Sequence, residues 1–125
     1  MMNWRQYKNF EPYEFACKCG CNRSAMSETF MGKLQTLRDQ YGKPMNITSG
    51  YRCADHPVEE AKETPGAHNR GVACDVAVSR EEAYELLKLA LNVGFTGIGV
   101  NQKGSGRFLH LDIDTIGVRP TIWSY

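Results

Sequence analysis

Charge of one sign is what this sequence most lacks. Its 15 Lys and Arg nearly cancel its 14 Asp and Glu, leaving a formal net charge of +1. A nucleic-acid partner would call for a basic excess or stripe, so none is expected. Long apolar runs are missing too. None approaches the roughly 20 residues of a membrane span, so no membrane partner is expected. The stretch Met1-Met2-Asn3-Trp4-Arg5-Gln6-Tyr7-Lys8 has no apolar segment of the kind a secretory signal carries. The expectation is a protein made in the cytoplasm. No repeat, low-complexity tract or linker breaks the 125 residues. That length and evenness fit one domain over residues 1–125, expected to be a monomer.

Cysteine is sparse and odd in number: Cys17, Cys19, Cys21, Cys53 and Cys74. An odd count without a signal argues against a secreted disulfide framework. Reduced thiols are the expected state. Two alternatives stay open. One is a disulfide joining the 17–21 cluster to Cys53. The other is a second, structural metal site of thiolates at Cys17, Cys19, Cys21 and Cys53. The C-x-C-x-C spacing is tighter than the usual C-x-x-C knuckle, which speaks against that site.

Histidine is rarer still, and two of the three sit in metal-ligand frames. His68 opens His68-Asn69-Arg70-Gly71-Val72-Ala73-Cys74-Asp75, and His110 lies in Phe108-Leu109-His110-Leu111-Asp112. His68, Asp75 and His110 offer two imidazoles and a carboxylate. Three protein ligands with a fourth position open are the arrangement of a catalytic zinc, so one catalytic Zn2+ is the expected cofactor. The third histidine, His56, lies in a polar loop and reads as solvated.

The frame H-x-x-G-x-A-x-D with F-x-H-x-D downstream resembles the zinc D-Ala-D-Ala carboxypeptidase family, peptidase M15, whose members include phage endolysins and murein peptidases. Ser49-Gly50-Tyr51-Arg52 resembles that family's S-G-Y-R element, and Trp123-Ser124-Tyr125 resembles the end of its short members. The resemblance runs from about Phe15 onward. It implies a hedgehog/D-Ala-D-Ala-peptidase-like fold and a zinc-dependent peptidase. The implied substrate is a D-amino-acid-containing stem peptide of bacterial peptidoglycan, cut as a carboxypeptidase or endopeptidase. The site of action would be the cell wall, and the absent signal fits a phage or prophage lysis protein. A non-catalytic zinc-containing module that binds peptidoglycan or serves in a phage particle is the alternative.

Such a peptidase needs a base for the attacking water and an anchor for substrate charge. Arg52 is the expected anion clamp by its match to S-G-Y-R, because a guanidinium binds carboxylates with two parallel bonds. Asp112 is the candidate base, two residues after His110 on the same strand face. The sequence departs from the family here. Many relatives carry an acid three residues before the second histidine ligand, and some carry a histidine two before it. This chain has Arg107 and Phe108. Asp112 therefore has a second reading, as the group that orients His110. Asp114 and the loop carboxylates Asp55, Glu59, Glu60 and Glu63 are weaker alternatives.

The periodicities place these residues on elements. The N-terminal residues are expected to wrap the domain with Trp4, Tyr7, Phe10, Tyr13 and Phe15 as pegs. Phe30, Leu34, Leu37 and Tyr41 recur at helical spacing, with Ser27 as N-cap and Gly42 as stop. A second helix is expected with the apolar stripe Ala83, Leu86, Leu87, Ala90 and Leu91, opened by the capping box Ser79-Arg80-Glu81-Glu82 and closed by Gly94. Strands are expected at residues 45–52, 72–78, 95–100, 108–114 and 121–125. Alternation puts Asp75 among small neighbours, and sets His110 and Asp112 on one face. The sum is a small α+β domain with two main helices and a mainly antiparallel sheet.

Overall fold

Alternation and helical periodicity both resolve into elements in a computed structural model, which describes residues 2–57 and 66–125. Two short 3-10 turns, Trp4–Gln6 and Pro12–Phe15, lead into helix α1, Glu28–Tyr41. Strands β1 (Asn46–Ser49) and β2 (Ala73–Ala77) precede helix α2 (Arg80–Val93). Strands β3 (Gly97–Asn101), β4 (Phe108–Asp112) and β5 (Thr121–Ser124) complete the chain. The sheet order is β1-β2-β4-β3-β5. All neighbours are antiparallel except β3 and β5. The fold is the expected small α+β domain with two main helices among the described residues.

The strand period of two sorts the side chains. Leu109 and Leu111 of β4 and Val76 of β2 join Phe30, Leu34 and Leu37 of α1 and Ala83, Leu86 and Ala90 of α2 in one core. Helices on one face leave the other face of the sheet to His110, Asp112 and Asp75. Burial of each such Leu is worth roughly 1.5–3 kcal/mol. The core therefore gives a rigid platform beneath the polar face.

Helix α1 begins and ends as expected. The Ser27 hydroxyl accepts from the Phe30 N–H, and Gly42 follows as a left-handed C-cap. Helix α2 starts differently. Ser79 makes no side-chain cap bond, and Arg80 has a positive φ of 55°. The expected capping box is absent because Gln102 Oε1 accepts the Arg80 N–H instead, at 3.3 Å. Leu91 is 58% exposed, so the apolar stripe is narrower than the sequence suggests. Tyr13 is likewise no peg, at 76% exposed, while Tyr7, Phe10 and Phe15 are buried. The strands are shorter than expected at several ends, since residues 50–52 and 113–114 leave the ladder. The polar loop of residues 54–70 falls partly outside the described residues.

Candidate metal centre

Three elements converge to build the site. Asp75 in the middle of β2 and His110 in the middle of β4 are direct register partners. His68 arrives from the turn that feeds β2. That turn depends on Gly71, whose φ is +72° and whose added Cβ would collide with the Ala25 carbonyl oxygen. The glycine of H-x-x-G is therefore needed for both conformation and close approach.

The donor atoms of His68, Asp75 and His110 all lie within 4.8 Å of one another. Asp75 Oδ1 is 3.1 Å from His110 Nδ1 and 3.4 Å from His68 Nε2. The other ring nitrogen of each histidine is already committed. His68 Nδ1–H donates to the Gly50 carbonyl at 2.7 Å. His110 Nε2–H donates to Asp112 Oδ2 at 2.7 Å. Imidazoles so oriented would, when neutral, point lone pairs at a carboxylate oxygen. Three convergent lone pairs repel unless a cation or a proton sits among them. Two nitrogens and one oxygen are a zinc donor set, and such ligands usually donate their outer N–H to a carbonyl or a carboxylate.

The titration of the protein groups reflects the same crowding. Burial pushes the Asp75 carboxyl up, but hydrogen bonds from His110 and His68 outweigh it and hold the group well below the usual carboxylate range. Burial lowers His110, yet its bonds to Asp112 and Asp75 raise it on balance. Asp112 is driven up by burial and further down by His110 and Arg119.

Asp112 is fully buried and engaged on both oxygens. Oδ1 accepts from Arg119 Nε at 2.8 Å and from the Asp114 N–H at 3.1 Å, and Oδ2 accepts from Arg119 Nη2 at 2.7 Å. Asp114 pairs with Arg70. Arg52 lies at the site, with Nη2 3.7 Å from Asp75 Oδ2. Arg52, His68, Asp75, His110 and Asp112 line one cleft of about 380 Å³, with Trp123 and Tyr125. A larger depression of about 580 Å³ lies elsewhere, bounded by Pro44, Ala77 and Arg107, and holds none of these groups. Arg107, at the position where relatives carry an acid, turns from the cleft and donates to the Gly104 carbonyl. His56 sits in the turn after Cys53 and is not one of the clustered residues. Tyr51 packs against the core. Glu59, Glu60 and Glu63 lie outside the described residues.

Two features of the site escaped the sequence reading. Arg119 grips Asp112 and lies 5.3 Å from the Trp123 ring, which itself stands 5.0 Å from the His110 ring. Nothing in the local sequence marks Arg119, because its partner is set by the return of β5 alongside β3. The second is Gly97-Ile98-Gly99 in β3. A Cβ at Gly97 would strike the Asp112 carboxylate and come within 2.5 Å of Arg119 Nε. One at Gly99 would come within 2.7 Å of Trp123 Nε1. Alternating glycines in a strand were the signal available, since they mark a face where other groups approach the backbone.

No curated protein matches this chain. The family model for Peptidase M15 matches residues 8–112, which takes in every expected metal ligand and Arg52 and stops short of Arg119 and Trp123. With that match over most of its length, and a histidine–aspartate–histidine cluster that can hold a metal ion, the chain belongs to the peptidase M15 family and is a metallopeptidase in general class.

Proposed function

We propose that this protein is a zinc-dependent peptidase that cleaves a D-amino-acid-containing stem peptide of bacterial peptidoglycan. The observation that carries the reading is the pair of histidines whose outer nitrogens are held by Gly50 and Asp112 while their inner nitrogens face Asp75. His68 Nε2, Asp75 and His110 Nδ1 would hold the ion. When bound, zinc supplies Lewis acidity toward a carbonyl and a nucleophile at neutral pH. The chain's own groups do the rest. Asp112, held by Arg119, keeps His110 in the tautomer that presents Nδ1. Arg52 stands at the cleft with a fork suited to a substrate carboxylate. Trp123 stands against one side of the His110 ring. The resemblance of the S-G-Y-R and F-x-H-x-D motifs to cell-wall peptidases supports the substrate class.

A second reading has one observation in its favour. Among the described residues the cleft carboxylates are Asp75, Asp112 and Asp114, and each already faces a cationic or imidazole partner. A zinc-containing module that binds peptidoglycan without turnover would look the same. Digestion of purified muropeptides separates the two. The expected result is cleavage that chelator abolishes and added zinc restores, and that His110→Ala lacks. Muropeptides that bind but stay intact under saturating zinc would assign the binding role.

A further inference from the structure

Four of the five cysteines gather at a place the peptidase reading does not use. Cys74 belongs to the core, but Cys17, Cys19, Cys21 and Cys53 converge from two distant segments. Their sulfurs all lie within 4.8 Å of one another. Cys53 Sγ is 3.6 Å from Cys17 Sγ and 3.2 Å from Cys19 Sγ. A tetrahedral zinc with Zn–S distances of about 2.3 Å would space its sulfurs by about 3.8 Å. The two Cys53 separations are slightly shorter than that spacing, and no pair in the cluster is more than 4.8 Å apart. A disulfide would use two sulfurs and leave two beside it without a purpose.

The tight C-x-C-x-C spacing is resolved by the backbone. Gly20 has φ +101° and Asn22 φ 59°, so the chain curls and brings alternate side chains to one side. Nothing lies within 4 Å of a Cβ placed on Gly20, so the glycine answers a need of conformation, not of space. The curl is tied off where the Cys17 N–H donates to the Arg23 carbonyl at 2.7 Å. Two more backbone donors aim at sulfur. The Cys53 N–H lies 3.3 Å from Cys17 Sγ, and the Arg23 N–H 3.4 Å from Cys21 Sγ. Such donors favour anionic sulfur, the form that binds metal. Residues 18–23 are exposed and carry no regular structure, so burial does not explain their order. A small domain commonly gains such order from a structural metal.

We propose that Cys17, Cys19, Cys21 and Cys53 form a second, structural metal site that closes a four-sulfur shell around one zinc ion. A four-sulfur tetrahedral set selects a thiophilic ion of this kind and leaves no open position for chemistry. The site ties the N-terminal segment to the turn after β1. That turn carries Arg52 and the Gly50 carbonyl that orients His68. The Arg52 N–H also donates to the His68 carbonyl, and the Tyr51 N–H to that of Phe15. The second ion therefore braces the cleft from outside it.

The test is metal counting and cobalt spectroscopy on the full chain, prepared reduced with zinc. The wild type should carry two zinc ions, and His110→Ala should keep one. Cobalt exchanged into His110→Ala should give a sulfur-to-cobalt charge-transfer band in the near ultraviolet. Cys19→Ser and Cys21→Ser alter exposed positions; each should lose that band and one ion. A His110→Ala chain that folds but binds no metal would overturn the proposal, even if the cysteine variants fail to fold. So would a disulfide from Cys53 to the cluster in the zinc-loaded chain, seen by mass spectrometry after alkylation. The histidine site can fail independently, because its loss removes the other ion and leaves the sulfur band intact.

Discussion

At the scale of single residues, the question is what Asp112 does. Its two oxygens already accept from Arg119, His110 and the Asp114 backbone, and it is fully buried. A general base has to reach the proton it removes and must have a lone pair to spare. Orientation of His110 fits these contacts better. Asp112→Asn should therefore weaken zinc affinity about 10–100-fold, with turnover restored by added zinc. A zinc titration of the variant checks this. Native affinity with turnover reduced by about two to four orders of magnitude would instead make Asp112 the base. Arg52 has a separate test. Its side chain is 19% exposed and stands beside Asp75. Arg52→Ala should lower kcat/KM by about tenfold or more, equivalent to roughly 1.4 kcal/mol of lost transition-state contact. Unchanged kinetics would make it a surface arginine.

At the scale of elements, strand β3 decides how much room the site has. Gly97 lies opposite Asp112, and Gly99 lies between His110 on one side and Trp123 on the other. Gly97→Ala puts a methyl into the Asp112–Arg119 pair. The collision is with two charged groups that are locked to each other, so neither can yield cheaply. The variant should lose about 1–3 kcal/mol of stability by overpacking, and zinc affinity should fall with it. Denaturant unfolding and metal titration read the two effects. Full affinity with native stability would mean that the Arg119 side chain has another place to go. The strands show why some of the site was legible and some was not. The alternation of Phe108-Leu109-His110-Leu111-Asp112 sorts core from site without any knowledge of the partner strand, and Asp75 among alanines shows an open face. Helix α1 was legible because its caps are local. The start of α2 was not, since Gln102 replaces the Ser79 cap from across the fold. Arg119 was hidden for the same reason, while the meeting of Cys53 with Cys17, Cys19 and Cys21 stood in the sequence only as an open alternative. Sequence spacing reports neighbours along a chain, while these contacts depend on how β5 and the turn after β1 return.

At the scale of the whole molecule, the buried carboxylates among the described residues, Asp75, Asp112 and Asp114, gather around one cleft. Asp75 and Asp112 are held below the usual carboxylate range by the partners described above, and Asp114 is lowered to about 2, chiefly by its bond from Arg70. An unfolded Asp titrates near about 3.9. Between that value and the folded one, the unfolded chain binds more protons, so stability rises with pH. These contributions are complete above the unfolded value and vanish as pH falls through the folded values. His110 in the metal-free chain has the opposite sign. Its raised pKa contributes stability below about 6.5, which is lost as pH rises through the folded value. Asp114 isolates the acid limb, because it touches none of the expected zinc ligands. It also accepts from the Ile116 N–H at 2.9 Å, and its partner Arg70 has a side chain 25% exposed, so solvent screens part of the pairing. Asp114→Asn should cost about 1–2 kcal/mol at about pH 6. The gap to the wild type should close as pH falls from about 4 to about 2, where both carboxyl states become neutral. Urea unfolding of both chains across that range measures the gap directly. A gap that stays constant with pH would show that Asp114 acts through packing and its turn hydrogen bonds, and not through its charge.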